Sequence, residues 1–194
     1  MTGGFHLLIS SSRYPTRTVR SLMRDLHTVI PHSHRMNRGK MSLEDLSEVA
    51  RQLGARYVML VARWKGIPGK LEFYRPQPRG LKLLPPIIYI RGVKLQRQYP
   101  TYWRKLRIRP RKLLIFKPPK DEEARLAEAL SEFFASEGWT EPLEAEASQG
   151  TIYMEVSPQR LTFHSTLNGR LVEVGPSITI RHLVWRVEKP ESQG

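Results

Sequence analysis

The sequence predicts an α/β protein made of two structurally similar halves that share one core. Three observations lead there. Along residues 5–75, apolar runs and amphipathic stretches follow the order β-α-β-α-β-β. A strand-then-helix pair at 113–116 and 121–136 repeats a first pair at 5–9 and 16–30. The length of 194 residues suits one compact domain or two small halves around a common interior.

Phe5 to Ile9 is apolar and reads as a short buried strand. Thr16 to Ile30 reads as a helix with Pro15 at or near its first turn. Val19, Leu22, Met23, Leu26, Val29 and Ile30 fall on one helical face, and Arg17, Arg20 and Arg24 fall opposite. Ser10, Ser11 and Ser12 are expected to shape and cap the turn between strand and helix. His32 to Met36 is a candidate second strand, and residues 37–41 form a basic loop. Ser42 to Asp45 reads as a capping box, opening a helix with Leu43, Leu46, Val49, Ala50 and Leu53 on its buried face. Arg56 to Trp64 is nearly unbroken apolar sequence, as in a central strand, and 70–76 returns as its hairpin partner after a turn at 65–69. Residues 76–80 break the pattern.

The first half is expected to span about 5–80 and the second about 86–188, with 189–194 frayed. In the second half, strands are expected at 86–95, 111–117, 151–157, 160–166, 170–174 and 177–188, with a helix at 120–136. Leu126, Ala127, Leu130, Phe133 and Phe134 form its buried face, and its acidic first turn suits the helix dipole. Leu167-Asn168-Gly169 supplies a hairpin turn. Residues 137–150 read as an acidic loop.

Charge narrows the function. The chain carries 32 Lys+Arg against 18 Asp+Glu, a net of +14. The charges are segregated. Residues 1–120 hold 26 basic and 5 acidic side chains, a net of +21, and residues 121–194 hold 6 and 13, a net of −7. A basic balance needed only for solubility would not segregate, so a polyanionic partner is expected. With no cysteine, disulfides, thiolate chemistry and cysteine-ligated zinc are excluded, which fits an intracellular protein. No basic segment precedes the first apolar run, as a signal peptide would require, and no apolar stretch is long enough to span a membrane.

Residues 9–26, ISSSRYPTRTVRSLMRDL, have the strand, hydroxyl loop and helix start of a phosphate-binding site. They lack the glycines and lysine of a Walker loop, the dinucleotide fingerprint and the hydrolase elbow. A catalytic reading of the serines is therefore disfavoured. His27, His32 and His34 sit among arginines with Asp25 as the nearest acid, which argues for ordinary surface or packing roles rather than metal ligation. The carboxylates of 121–146 are expected on a solvated face.

Two loops, 11–16 and 37–42, leave predicted parallel strands towards helix N-termini, so they should emerge on one sheet edge. Arg13, Arg17, Arg20, Arg24, Arg38 and Lys40 would grip phosphates there. Residues 97–120 hold nine Lys/Arg and no acid, interleaved with Tyr99, Tyr102 and Trp103. Tyr102, Trp103, Arg104, Lys105, Arg107, Arg109, Arg111 and Lys112 are expected to extend the contact, the aromatics either stacking on bases or packing internally.

Four segments resemble a known family. LISSSRYPTRTVRSLMRDL is similar to the opening of Brix-domain proteins, with its strand, Ser-Arg-x-Pro-type loop and basic helix. VIPHSHRMNRGKMSLEDL, ARWKGIPGKLEFYRP and VEVGPSITIRHLVWRV match later family segments in the right order. The chain departs from the pattern at Ser177, where many relatives carry a basic residue after Gly-Pro.

The resemblance, closest to short archaeal members, implies a non-catalytic ribosome biogenesis factor. Such a factor binds precursor ribosomal RNA, assists its processing and subunit assembly, and works in the cytoplasm, alongside other assembly proteins where these take part. It implies no cofactor, metal, membrane or small-molecule substrate, and two halves each like the anticodon-binding domain of class IIa aminoacyl-tRNA synthetases. The residues leave two alternatives open: a nucleotide-dependent RNA-modifying enzyme, or a scaffold that uses the acidic 121–146 region.

Overall fold

Every backbone amide in a buried strand needs a partner, and the short apolar runs of this chain find theirs in a single mixed sheet. The computed structural model describes residues 4–100, 110–116, 118, 121–141 and 150–186. Strand β1 (Leu7–Ser11) is buried along its whole length. It leads to helix α1 (Arg17–His27), where extended Thr16 accepts a hydrogen bond from the Val19 N–H. Val19, Leu22, Met23 and Leu26 recur at helical spacing and are fully buried. Each contributes ~1.5–3 kcal/mol by leaving water.

The serines do not cap this helix, contrary to expectation. Ser10 and Ser11 belong to β1 and are buried, and the Ser12 hydroxyl instead accepts a bond from the Arg63 N–H. Thr16 takes the cap because it is the residue directly before the first helical turn.

Next come β2 (Ser33–Arg35), α2 (Leu43–Gln52), β3 (Tyr57–Trp64), β4 (Ile67–Gln77) and β5 (Gly80–Lys94). The Ser42–Asp45 capping box forms. Leu46 and Ala50 are buried, but Leu43, the first helical residue, stays exposed. Lys65 and Gly66 both have positive φ, 46° and 84°, and make a two-residue hairpin turn between Trp64 and Ile67. The break expected at 76–80 is another tight hairpin, with Gln77 paired to Gly80.

After a short 3₁₀ turn (Gln96–Gln98) follow β6 (Lys112–Phe116), α3 (Asp121–Phe133) and β7 (Trp139–Thr140). Then come β8 (Thr151–Val156), β9 (Arg160–Leu167), β10 (Arg170–Glu173) and β11 (Ser177–Val184). Strand β7 lies inside the stretch read as an acidic loop; two residues are too short to show a period. Asn168 and Gly169, at φ 49° and 72°, form the expected hairpin turn.

The strand order is β2-β1-β3-β4-β5-β11-β9-β8-β6-β7, with β10 on β9. β1 runs parallel to β2 and β3, as β6 does to β7 and β8. The other ladders are antiparallel, and β5 joins β11 at the middle. The order of parallel and antiparallel neighbours therefore reads alike outward from that joint.

Alternation along the strands sends Leu7, Ile9, Tyr57, Met59 and Val61 to one face and Leu8, Val58 and Leu60 to the other. The first face carries the main core under α1 and α3, and the second a smaller one under α2. The two parts are not separate bodies. Phe133 of α3 stacks on Phe73 of β4 at 4.4 Å between centroids.

Candidate nucleic-acid interface

Because β1, β2 and β3 are parallel, their C-terminal ends point to one edge. Three connections leave from it: residues 12–16 into α1, residues 36–42 into α2, and the 65–66 turn into β4. The first two meet. Tyr14, Pro15, Arg20, Gly39 and Lys40 line a cleft of about 440 Å³ between them.

The chain holds cations together here. Arg13, Arg17, Arg20 and Lys40 are exposed. Arg38 is half-buried, its Nε donating to the Met41 carbonyl at 3.0 Å. Burial, and then the charge of Arg13, hold the Arg38 guanidinium below its ordinary value. Asp45 lies at the start of the neighbouring helix. The Ser42 N–H and hydroxyl, with a lesser contribution from Arg13, hold its carboxyl below the usual range.

Among the described residues, Arg13, Arg17, Arg20, Arg38 and Lys40 make no ion pair. Arg24 differs, with its Nε 3.4 Å from Asp25 Oδ1. Asp25 is buried and also accepts from the Gln96 N–H at 2.9 Å. Neighbouring cations without counter-charge repel one another, and an anion bound between them relieves that repulsion.

The third connection adds residues that sequence reasoning missed. Arg63, Trp64 and Lys65 sit exposed at the β3–β4 tip, tied to the 12–16 loop by the Ser12–Arg63 bond. The signal was present: a tryptophan between two cations beside a Lys-Gly turn. It was read as the buried end of a strand because the preceding run is continuously apolar.

Of the remaining expected residues, only Arg111 and Lys112 are described, and they do not lie at this edge. Tyr102, Trp103, Arg104, Lys105, Arg107 and Arg109 lie outside the described residues. Arg111 and Lys112 lie at the start of β6, in the other part of the sheet, and Lys112 pairs with Glu137 at 3.5 Å. Tyr99, grouped with the stacking candidates, is a core residue. Its ring is buried and its hydroxyl donates to Glu173, and burial, then that carboxylate, push its pKa up to about 12.

One further reading changes. Glu123 of α3 is buried, and Glu132 accepts from the Tyr57 hydroxyl and lies 3.7 Å from Arg75, so this acidic face is partly used for packing. Residues 142–149 of the acidic region lie outside the described residues. His27 is 2.9 Å from the Ser33 hydroxyl, which donates onward to the Ile30 carbonyl. His34 packs on Phe5 at 4.8 Å between centroids. Among the described residues, no group of three or more His, Asp or Glu could hold a metal. Nor is any helix there long and apolar enough to cross a membrane.

An α/β sheet with a cationic loop edge is the class that these observations define. No family model matches the chain. A curated relative from Pyrococcus horikoshii, named "Probable Brix domain-containing ribosomal biogenesis protein", is 38% identical over 92 residues. That stretch is 47% of this chain and 41% of the relative. One of the same name from Pyrobaculum aerophilum is 34% identical over 102 residues, 53% of this chain and 55% of the relative. The matched stretch thus spans about half the length of these relatives. A Methanopyrus kandleri relative of the same name matches at 28% over 93% of this chain and 96% of its own length.

The solved structure of a probable ribosomal biogenesis protein from Aeropyrum pernix superposes with a TM-score of 0.69 at 22% identity, covering 95% of this chain and 98% of that one. An archaeal Imp4-like protein superposes at 0.60 and 18% identity, covering 92% and 99%. These likenesses establish the fold. The chain is a homologue of the archaeal Brix domain-containing ribosomal biogenesis proteins.

Proposed function

We propose that this protein is a non-catalytic ribosome biogenesis factor. It binds precursor ribosomal RNA and assists its processing and subunit assembly inside the cell, without cofactor or small-molecule substrate. Its homologues carry the ribosomal biogenesis name, which supports the assembly role. The observation that carries the RNA reading is the cleft between residues 12–16 and 36–42, which collects cations that make no ion pair among the described residues. Phosphates are among the anions that forked guanidinium groups fit, and a nucleic-acid strand presents them in series. Arg13, Arg17, Arg20, Arg24, Arg38 and Lys40 form the grip, and Tyr102, Trp103, Arg104, Lys105, Arg107 and Arg109 are proposed to extend it. The mirrored strand order supports two related units, each proposed to resemble the anticodon-binding domain of class IIa aminoacyl-tRNA synthetases.

The test is the salt dependence of RNA binding. Each phosphate contact adds a log–log slope of roughly −0.7 on a single strand. Converting Arg17, Arg20 and Arg24 together to glutamine should flatten the slope by up to about 2. An unchanged slope removes these residues from the interface.

A further inference from the structure

We infer that Trp64, at the tip of the β3–β4 hairpin, is a stacking site for an unpaired nucleobase of single-stranded RNA bound along the cationic edge. This rests on the RNA-binding reading and assigns the tip a role distinct from the phosphate grip.

The tip is constructed to present an indole. Trp64 is 64% exposed, and Ile67 across the turn is 49% exposed. A folded chain would ordinarily bury side chains of this size. The backbone of the tip departs from the regular ladder. The β3–β4 register shifts between Ala62 and Arg63, so the tip leaves the regular pleat. On the returning strand stands Gly69, where an added Cβ would lie 2.3 Å from the Cβ of Trp64. Only glycine at 69 leaves room for any side chain at position 64.

Its surroundings select the ligand. Arg63 and Lys65 precede and follow Trp64 in the chain, both exposed and without an ion pair among the described residues. The tip is fixed to the phosphate-type loop at two points, Ser12 N–H to the Val61 carbonyl at 3.2 Å and Arg63 N–H to the Ser12 hydroxyl at 3.3 Å. Ile67 and Pro68, on the returning strand, also line a cleft of about 310 Å³ of mixed character, with Val93 and Leu95 on its apolar side and Arg97 and Gln98 on its polar side. A flat apolar ring between two cations, beside a row of arginines, fits a chain that alternates π-faces with phosphates. A basic or neutral protein surface would gain nothing from Arg63 and Lys65. Duplex RNA hides its base faces, so the site is specific to unpaired strands.

The experiment compares the whole chain with Trp64→Ala, Trp64→Phe and the Arg17/Arg20/Arg24→Gln variant. The probes are a fluorescein-labelled 12-nucleotide oligouridine and a blunt RNA duplex of equal length, each titrated at two salt concentrations. Trp64→Ala should weaken oligouridine binding about tenfold, within the range of one lost base–aromatic stack. It should leave duplex binding and the salt slope unchanged, and Trp64→Phe should recover most of the loss. Equal weakening of both probes, or of neither, overturns the proposal. A loss of neither with an altered salt slope for the arginine variant sinks the tip alone and favours a protein contact there. A loss at Trp64 with an unaltered arginine slope sinks the grip and keeps the tip. Failure of the wild-type chain to bind either probe overturns both.

Discussion

The rings of Phe133 and Phe73 stack 4.4 Å apart and within 9° of parallel, joining a helix that follows β6 to a strand that precedes it. Tyr57 meets the same Phe133 edge-on at 5.2 Å, and its hydroxyl bonds Glu132. The two parts of the sheet therefore share a core as well as a ladder. Phe133→Ala should cost about 3–5 kcal/mol, the usual penalty for emptying a buried phenyl site. Urea unfolding followed by circular dichroism should still show one transition, at a lower midpoint. Two separate transitions in the wild type would mean that the parts unfold independently.

Gly175 lies at φ +67°, and a Cβ there would fall 2.4 Å from the ring of Tyr99. That ring is buried and cannot swing away without breaking its bond to Glu173. Gly175→Ala should therefore destabilise by at least about 1–3 kcal/mol, from overpacking with backbone strain added. Thermal unfolding measures it. A change below the error of the measurement would show that Tyr99 moves freely.

His164 is packed near Phe116 with its Nδ1 unpartnered, and burial holds the ring below its ordinary pKa of 6.5, against smaller upward pulls from Glu155 and Glu173. The unfolded chain thus takes up this proton at a higher pH than the folded one. Stability should fall as pH drops below 6.5 towards the folded value. His27, also lowered by burial and then by Arg35, acts in the same direction. His164→Phe should give a shallower fall in the urea midpoint between about pH 7.5 and about pH 5.5, with the His27 contribution remaining. Identical profiles would rule out His164 as a source.

Ser42 caps α2 and closes the 36–42 loop, its hydroxyl accepting from the Asp45 N–H at 3.0 Å. Ser42→Ala should lower stability by about 1 kcal/mol. If Arg38 and Lys40 hold phosphate, it should also weaken RNA binding, because the loop that carries them loses its anchor. Ser157→Ala, which removes a hydroxyl bonded at the far β8–β9 turn, is the control and should leave RNA binding unchanged.

Much of this architecture was legible in the chain. The apolar period of residues 16–30 marks both the buried face of α1 and the arginines opposite it. Ser42 and Asp45 announce a helix start, and Asn168-Gly169 a hairpin. The parallel arrangement of β1 and β2 follows from the helix between them, which is enough to bring residues 12–16 and 36–42 to one edge. These features are local, set by side-chain period and turn chemistry within a few residues. The tertiary structure decided the rest. Pairing of β5 with β11 joins segments distant in sequence, and no local pattern names the partner of an edge strand. Tyr99 looked like a stacking aromatic and is buried, because Glu173, from β10, supplies the acceptor that its hydroxyl needs. Trp64 ends an apolar run and is nevertheless exposed, because it stands at the tip of the hairpin that Lys65 and Gly66 close. Which aromatic faces water depends on the strand laid beside it, and that strand is chosen by long-range pairing.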